Sequence, residues 1–240
     1  MPSVQHPKTQ VRMAYVTPAH QYPLGITMSM ARRLALLEWA KQANGWILED
    51  DYDSEYRYAG RPLAALQGID PHGRVIYVGT FSKVLFPSLR MGYVVVPRTL
   101  VDAFVCARVL TDGHTSTLSQ AVVAEFLEAG HFARHIRKMR LLYADRQEVL
   151  MRAATSALKG IVEISPSEAG MHLIGWFDGK IDDWQRAKQA AAHGVAVTPL
   201  SSLSLSPQKP QGALLGYTAF NSRSLAGGVK ALAAAWRGKQ

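Results

Sequence analysis

Apolar residues recur along the chain in two rhythms, and the change between them marks the predicted elements. Short unalternating runs at residues 11–16, 46–48, 75–78 and 91–96 are rich in β-branched and aromatic side chains and read as buried strands. Gly79 ends the third run and Pro97 closes the fourth. Between the first two runs, residues 30–44 carry Leu34, Leu37, Ala40 and Ala43 at helical spacing. Ser29 is placed to cap this helix, and Asn44-Gly45 to end it. Strand–helix–strand order with unalternating strands predicts a mostly parallel sheet covered on both faces. Residues 100–110 and 118–129 read as helices, and 133–158 as one long basic amphipathic helix.

From about residue 155 the pattern changes to short strands at 162–164, 170–177, 195–198 and 214–220, with helices at 184–192 and 225–236 and a Ser/Pro/Gln-rich loop at 201–212. The expected organisation is a disordered polar lead-in over 1–10 and a large α/β domain with its connecting helix over 11–150. A small C-terminal α/β domain follows over 151–240. There is no internal repeat.

Composition narrows the function only a little. At 48% hydrophobic and 19% charged, the 240 residues are ordinary for a globular α/β protein. No apolar run is long enough to span a bilayer, and the first residues lack a signal-peptide core. The single cysteine, Cys106, excludes an intrachain disulfide framework and fits a reducing compartment, so the cytoplasm is expected. Its helix is of mixed apolar character, which predicts a core position. The net charge of +9 suits nucleic acid or anionic small molecules. The densest basic group, Arg134, Arg137, Lys138 and Arg140 with His131 and His135, fits successive turns of one solvated helix better than a groove-binding helix. No paired metal-ligand spacing occurs, and no metal is expected.

The chemistry gathers at strand ends. The third strand empties into Gly79-Thr80-Phe81-Ser82-Lys83, and Arg90 follows seven residues after the lysine. The second runs into Glu49-Asp50-Asp51-Tyr52-Asp53. Taken singly, Lys83 reads as a surface lysine, Asp50 as a carboxylate in an acidic turn and Tyr52 as a half-buried aromatic. Taken together, at the carboxyl ends of successive strands where α/β sheets bind ligands, they match pyridoxal 5′-phosphate. Lys83 would form the internal aldimine and carry the proton at a substrate's α-carbon. Asp50 would keep the pyridine nitrogen protonated, and Tyr52 would hydrogen-bond the ring's phenolic oxygen. Arg90, Thr80 and Ser82 would grip the phosphate. His20 and His172 have no role in this set and read most simply as structural imidazoles.

The segment from Glu49 through Ser54-Glu55-Tyr56-Arg57-Tyr58, with Gly79-Thr80-Phe81-Ser82-Lys83 and Pro87-Ser88-Leu89-Arg90, resembles fold-type I, class I/II aminotransferases. More narrowly it is similar to the aminotransferase-like domain of the MocR subgroup of GntR-type bacterial transcriptional regulators. Thr17-Pro18-Ala19-His20-Gln21-Tyr22-Pro23-Leu24-Gly25, then Met28 and Ala31-Arg32-Arg33-Leu34, carry the same likeness, as do Ala169-Gly170-Met171-His172 and Leu214-Leu215-Gly216-Tyr217. The resemblance implies the same assignments: Lys83 to the Schiff base, Asp50 to the pyridine nitrogen, Tyr52 to the ring oxygen, and Arg90 with Thr80 and Ser82 to the phosphate. Tyr22 stands where aminotransferases carry the asparagine of Asn-Pro-x-Gly. The late arginine that takes a substrate carboxylate has no counterpart in residues 213–220, which points away from efficient transamination.

The resemblance further implies a chain that begins midway through a longer regulator. Absent would be the winged helix-turn-helix domain, the first strands of the large domain, the glycine-containing phosphate loop and the aromatic that stacks on the ring. A weakened cofactor affinity is then expected. The implied function is an effector-sensing, aminotransferase-like domain that binds a small amino compound, dimerises in the complete protein and meets DNA only through another domain. The alternative is a catalytic aminotransferase fragment moving an amino group between an amino acid and a 2-oxo acid.

Overall fold

The computed structural model describes residues 11–60, 63–178, 181–206 and 209–237. The lead-in expected over 1–10, and positions 207–208 of the expected loop, lie outside them. The chain divides into two compact units: Met1–Tyr22, Ile26–Ser54 and Arg61–Phe132 in the first, and Pro23–Gly25, Glu55–Gly60 and Ala133–Gln240 in the second.

The first unit is built on a four-stranded sheet, β1 (Met13–Val16), β2 (Trp46–Asp51), β3 (Val75–Thr80) and β4 (Gly92–Val95), in that spatial order. The first three strands are parallel and β4 runs antiparallel at the edge. Helix α1 (Met30–Gln42) lays Leu36, Leu37 and Ala40 against Ile47, Leu66 and Val75. Its start is fixed by Ser29, whose hydroxyl accepts from the Arg32 amide. Its exit is fixed by Asn44 in the left-handed conformation and by Gly45, where a Cβ would come within 3.0 Å of the Arg12 carbonyl.

Two readings of the sequence change here. Gly79 does not end β3. It pairs with both Asp51 and Tyr93, and a Cβ at this position would run into the Tyr93 ring, so the glycine serves close packing rather than chain termination. Cover on both faces is also not met among the described residues: Met13 and Tyr15 are 55% and 61% exposed on the face opposite α1. Helices α2 (Val101–Asp112) and α3 (Thr117–Glu128) complete the unit. No residue of α2 is buried, so Cys106 is exposed rather than in the core; its apolar neighbours Phe104, Val105 and Val109 face outward with it.

The second unit is an antiparallel sheet of β5 (Glu163–Ile164), β6 (His172–Trp176), β7 (Thr198–Pro199) and β8 (Gly212–Gly216), in the order β5-β6-β8-β7. Helices α4 (His131–Ala157, in this unit from Ala133), α5 (Asp183–Ala192) and α6 (Ser222–Arg237) supply the rest of its core. Along α6, Leu225, Val229, Leu232, Ala233 and Trp236 recur at helical spacing and pack with Leu150, Leu173, Phe177 and Leu215. The Trp236 ring meets Phe177 edge-on at 5.1 Å and donates its indole proton to the Arg186 carbonyl at 3.0 Å.

One buried network in the first unit sets the loops around the sheet edge. The Arg33 guanidinium, 2% exposed, donates to the carbonyls of Met28 (2.9 Å), Ala64 (2.7 Å) and Pro18 (2.8 Å). Glu49, 1% exposed, accepts from the amides of Leu66 (2.8 Å) and Gln67 (2.9 Å). Burial pushes the Glu49 carboxyl up, against the pull of the Gln67 and Leu66 amides and the Arg33 charge. Arg33→Met keeps the side-chain bulk but strands three carbonyls and a buried carboxylate. It is expected to cost roughly 3–5 kcal/mol in urea unfolding; a loss below about 1 kcal/mol would contradict this role.

Candidate functional site

The acidic run after Leu48 separates by strand parity. Successive side chains of β2 point to opposite faces. Glu49 and Asp51 share the α1 face. Glu49 is held by loop amides, and Asp51 accepts from the Ser54 amide (3.2 Å), the Ser54 hydroxyl (2.6 Å) and the Tyr77 hydroxyl (2.8 Å). Burial first, then the Asp51 hydrogen bond, holds the Tyr77 phenol well above its usual range. Asp50 lies on the other face, where it accepts from the Tyr15 hydroxyl. That bond, with burial and the Asp50 charge, pushes Tyr15 from its ordinary 10.0 up to about 12. Of the strand's three carboxylates, Asp50 alone is on the face away from α1.

Tyr52 follows the strand and is half-buried. Its hydroxyl oxygen is 3.0 Å from His20 Nδ1, which is also 2.9 Å from Asp53 Oδ2. His20 and Asp53 are 3% and 1% exposed. The Tyr22 ring stands edge-on to Tyr52 with centroids 6.1 Å apart. Burial, followed by the neighbouring Asp53, Tyr22, Asp50 and Tyr15, drives the Tyr52 hydroxyl far above its usual range. Tyr52 is therefore a neutral phenol that keeps its proton.

The third strand delivers the remaining groups. Thr80 is the last residue of β3, and its hydroxyl accepts from the Ser82 amide at 3.1 Å. The Phe81 amide donates to the Met91 carbonyl at 3.0 Å, closing a hairpin loop that contains Ser82, Lys83 and Arg90. Lys83 is exposed, and the buried Val84 beside it anchors the loop. Arg90 closes a 3-10 turn, Pro87–Leu89, with φ 49 and ψ 41. That left-handed conformation costs a non-glycine residue about 1 kcal/mol.

Asp50 pairs with Val78 and Thr80 with Gly92. Asp50 and Thr80 therefore end neighbouring parallel strands at one carboxyl edge, and Tyr52, Ser82, Lys83 and Arg90 lie in the loops that leave it. His172 belongs to the second unit, where its Nε2 donates to the Pro23 carbonyl at 2.8 Å. The sequence reading missed Tyr15 and Asp53 and gave His20 no role. The contacts of these residues span more than thirty positions and leave no local spacing to find. Among the described residues no cluster of three or more His, Cys, Asp or Glu could hold a metal ion.

The chain is similar to known proteins over most of its length. Residues 7–212 match the family model described as aminotransferase class I and II. The chain is 43% identical, over 94% of its length, to the probable rhizopine catabolism regulatory protein MocR of Rhizobium meliloti, covering 46% of that protein. It is 39% identical, over 93% of its length, to the uncharacterized HTH-type transcriptional regulator YhdI of Bacillus subtilis, covering 48% of it. The chain thus spans about half the length of the curated relatives it matches. Among solved structures, kynurenine aminotransferase of Pyrococcus horikoshii superposes with a TM-score of 0.86 at 30% identity, covering 95% of this chain and 56% of that one. With its α/β fold, its strand-end polar groups and this match across most of its length, the chain belongs to the aminotransferase class I and II family.

Proposed function

We propose that this chain is the pyridoxal 5′-phosphate-binding, effector-sensing part of a bacterial transcriptional regulator. The observation that carries the reading is the donor set at one sheet edge: an amine, a carboxylate, a phenol, and an arginine with two hydroxyls. These fit, group for group, an aldehyde, a pyridine nitrogen, a ring oxygen and a phosphate. The likeness to one protein named a probable regulatory protein and another named an HTH-type transcriptional regulator supports the regulatory half of the proposal.

When bound, the cofactor supplies an aldehyde that condenses with amines and a ring that withdraws electrons. Lys83 would hold the aldehyde carbon, and its amine is the group that an incoming amino compound would replace. Asp50, which accepts from the Tyr15 hydroxyl, would hold the ring nitrogen, and its negative charge would favour the protonated form. Tyr52 donates to the ring oxygen. Arg90 meets the phosphate with charge-assisted hydrogen bonds, and Thr80 and Ser82 add hydroxyl donors. The ligand is then a small molecule with a primary amine. The complete protein is a cytoplasmic homodimer that reaches DNA through a separate domain.

The second reading, a catalytic aminotransferase, is favoured by the solved structure of kynurenine aminotransferase. Turnover separates the two. A sensor supplied with amino acid and 2-oxo acid completes at most one amino exchange per site, whereas an enzyme cycles many times.

Two further outcomes follow from the site. Borohydride reduction after incubation with pyridoxal 5′-phosphate fixes one pyridoxyl group per chain on the peptide bearing Lys83, read by mass spectrometry, and Lys83→Ala abolishes it. Label spread over surface lysines, unchanged in the variant, would refute the assignment. Arg90→Gly relieves a left-handed residue, so thermal unfolding shows stability unchanged or raised by up to about 1 kcal/mol. The same change weakens cofactor binding by about tenfold or more, the size expected for a lost charge-assisted bond. Unchanged affinity would remove Arg90 from the phosphate position.

A further inference from the structure

The buried pair His20 and Asp53 sits behind Tyr52 and has no task in the roles above, and its meaning rests on the cofactor reading. His20 comes from the loop after β1 and Asp53 from the exit of β2, and both are withdrawn from solvent. A single nitrogen, His20 Nδ1, lies within bonding distance of two oxygens, Asp53 Oδ2 at 2.9 Å and the Tyr52 hydroxyl at 3.0 Å. An imidazole nitrogen either carries a proton and donates or holds a lone pair and accepts. The Asp53 carboxylate only accepts, so a lone pair at Nδ1 would face another lone pair at 2.9 Å. Nδ1 therefore carries the proton, whether the ring is neutral or charged.

That proton placement decides the direction of the next bond. The Tyr52 oxygen faces an N–H and accepts from it, so the phenol's own proton must turn to a different partner. The Tyr22 ring stands edge-on to the phenol, its centroid 6.1 Å away. The titratable groups facing Tyr52 are Asp50 and Asp53 on its own strand exit, and Tyr15, His20 and Tyr22 from β1 and the loop after it. We propose that Asp53 and His20 form a positioning relay that fixes His20 as the Nδ1–H tautomer, turns the Tyr52 proton outward, and makes Tyr52 an obligate hydrogen-bond donor to the cofactor's ring oxygen.

The first test needs no cofactor. Long-range proton–nitrogen correlation spectra of the ¹⁵N-histidine-labelled full chain report the tautomer of each of the eight histidines. His20 is identified by the signal lost in His20→Asn. The native protein shows His20 protonated at Nδ1. In Asp53→Asn the amide of the new side chain faces Nδ1 as a donor, and the ring changes to the Nε2–H tautomer. Native His20 found as the Nε2–H tautomer overturns the relay.

The second test uses protein loaded with pyridoxal 5′-phosphate, reading the pH midpoint of the absorbance change of the lysine-bound cofactor. Loss of a donor leaves the ring oxygen more basic, so the proton it shares with the Lys83 nitrogen is held more tightly and the midpoint rises. Tyr52→Phe and Asp53→Asn both raise it, by about one pH unit, and the double variant rises no further than Tyr52→Phe. A midpoint that moves in Tyr52→Phe but not in Asp53→Asn, or shifts that add in full, overturns the relay while leaving the cofactor reading intact. Absence of a borohydride-fixed label on native Lys83 overturns both.

Discussion

The period of two along β2 is the constraint on which the rest of the first unit depends. Adjacent carboxylates at 49, 50 and 51 would repel one another in a common environment. A strand flanked by a parallel neighbour on each side separates them by alternation. Glu49 and Asp51 turn toward α1 and are consumed by loop amides, a serine and a tyrosine. Asp50 turns the other way and meets a phenol instead. A one-residue slip in register would exchange these environments, placing Asp50 in the apolar layer and Glu49 on the face that carries Tyr15. Burial of Ile47 and Val75 against α1 therefore fixes the chemistry as well as the core.

From that register the site assembles with few further devices. Arg33 ties the loop after β1 to the segment before β3 through three carbonyls, so the loop that carries His20 and Tyr22 has a defined path. The β3–β4 hairpin closes through Phe81 and Met91, and the lysine and arginine share one loop. Gly79 permits this by yielding its side-chain volume to the Tyr93 ring. Arg90 alone among these residues holds a strained, left-handed backbone.

Much of the fold was legible because its signals are local. In the first unit the strand runs, the Ser29 cap and the Asn44-Gly45 exit fall where periodicity and cap chemistry put them, whereas in the second β7 and β8 lie at Thr198–Pro199 and Gly212–Gly216 rather than at 195–198 and 214–220. The polar groups at strand ends were legible for the same reason, since α/β sheets offer ligands their carboxyl edge. Three matters were not. Gly79 resembles a strand end until the cross-strand Tyr93 is known. Cys106 resembles a core residue because helical periodicity says which face is apolar, not whether anything covers it. The Tyr15–Asp50 and His20–Asp53 contacts join residues far apart in sequence, and only the parallel register brings them together.

The central claim is that Asp50 is the carboxylate reserved for a ring nitrogen, while its neighbours are committed to the scaffold. Pyridoxal 5′-phosphate labelled with ¹⁵N in its ring tests it most directly, because the nitrogen's chemical shift separates pyridinium from free base. Bound to the native protein at neutral pH, the label should show the pyridinium shift, and in Asp50→Asn it should revert to the free base, with Glu49→Gln leaving it protonated. A free-base shift in the native protein, or a pyridinium that survives Asp50→Asn, would contradict the account.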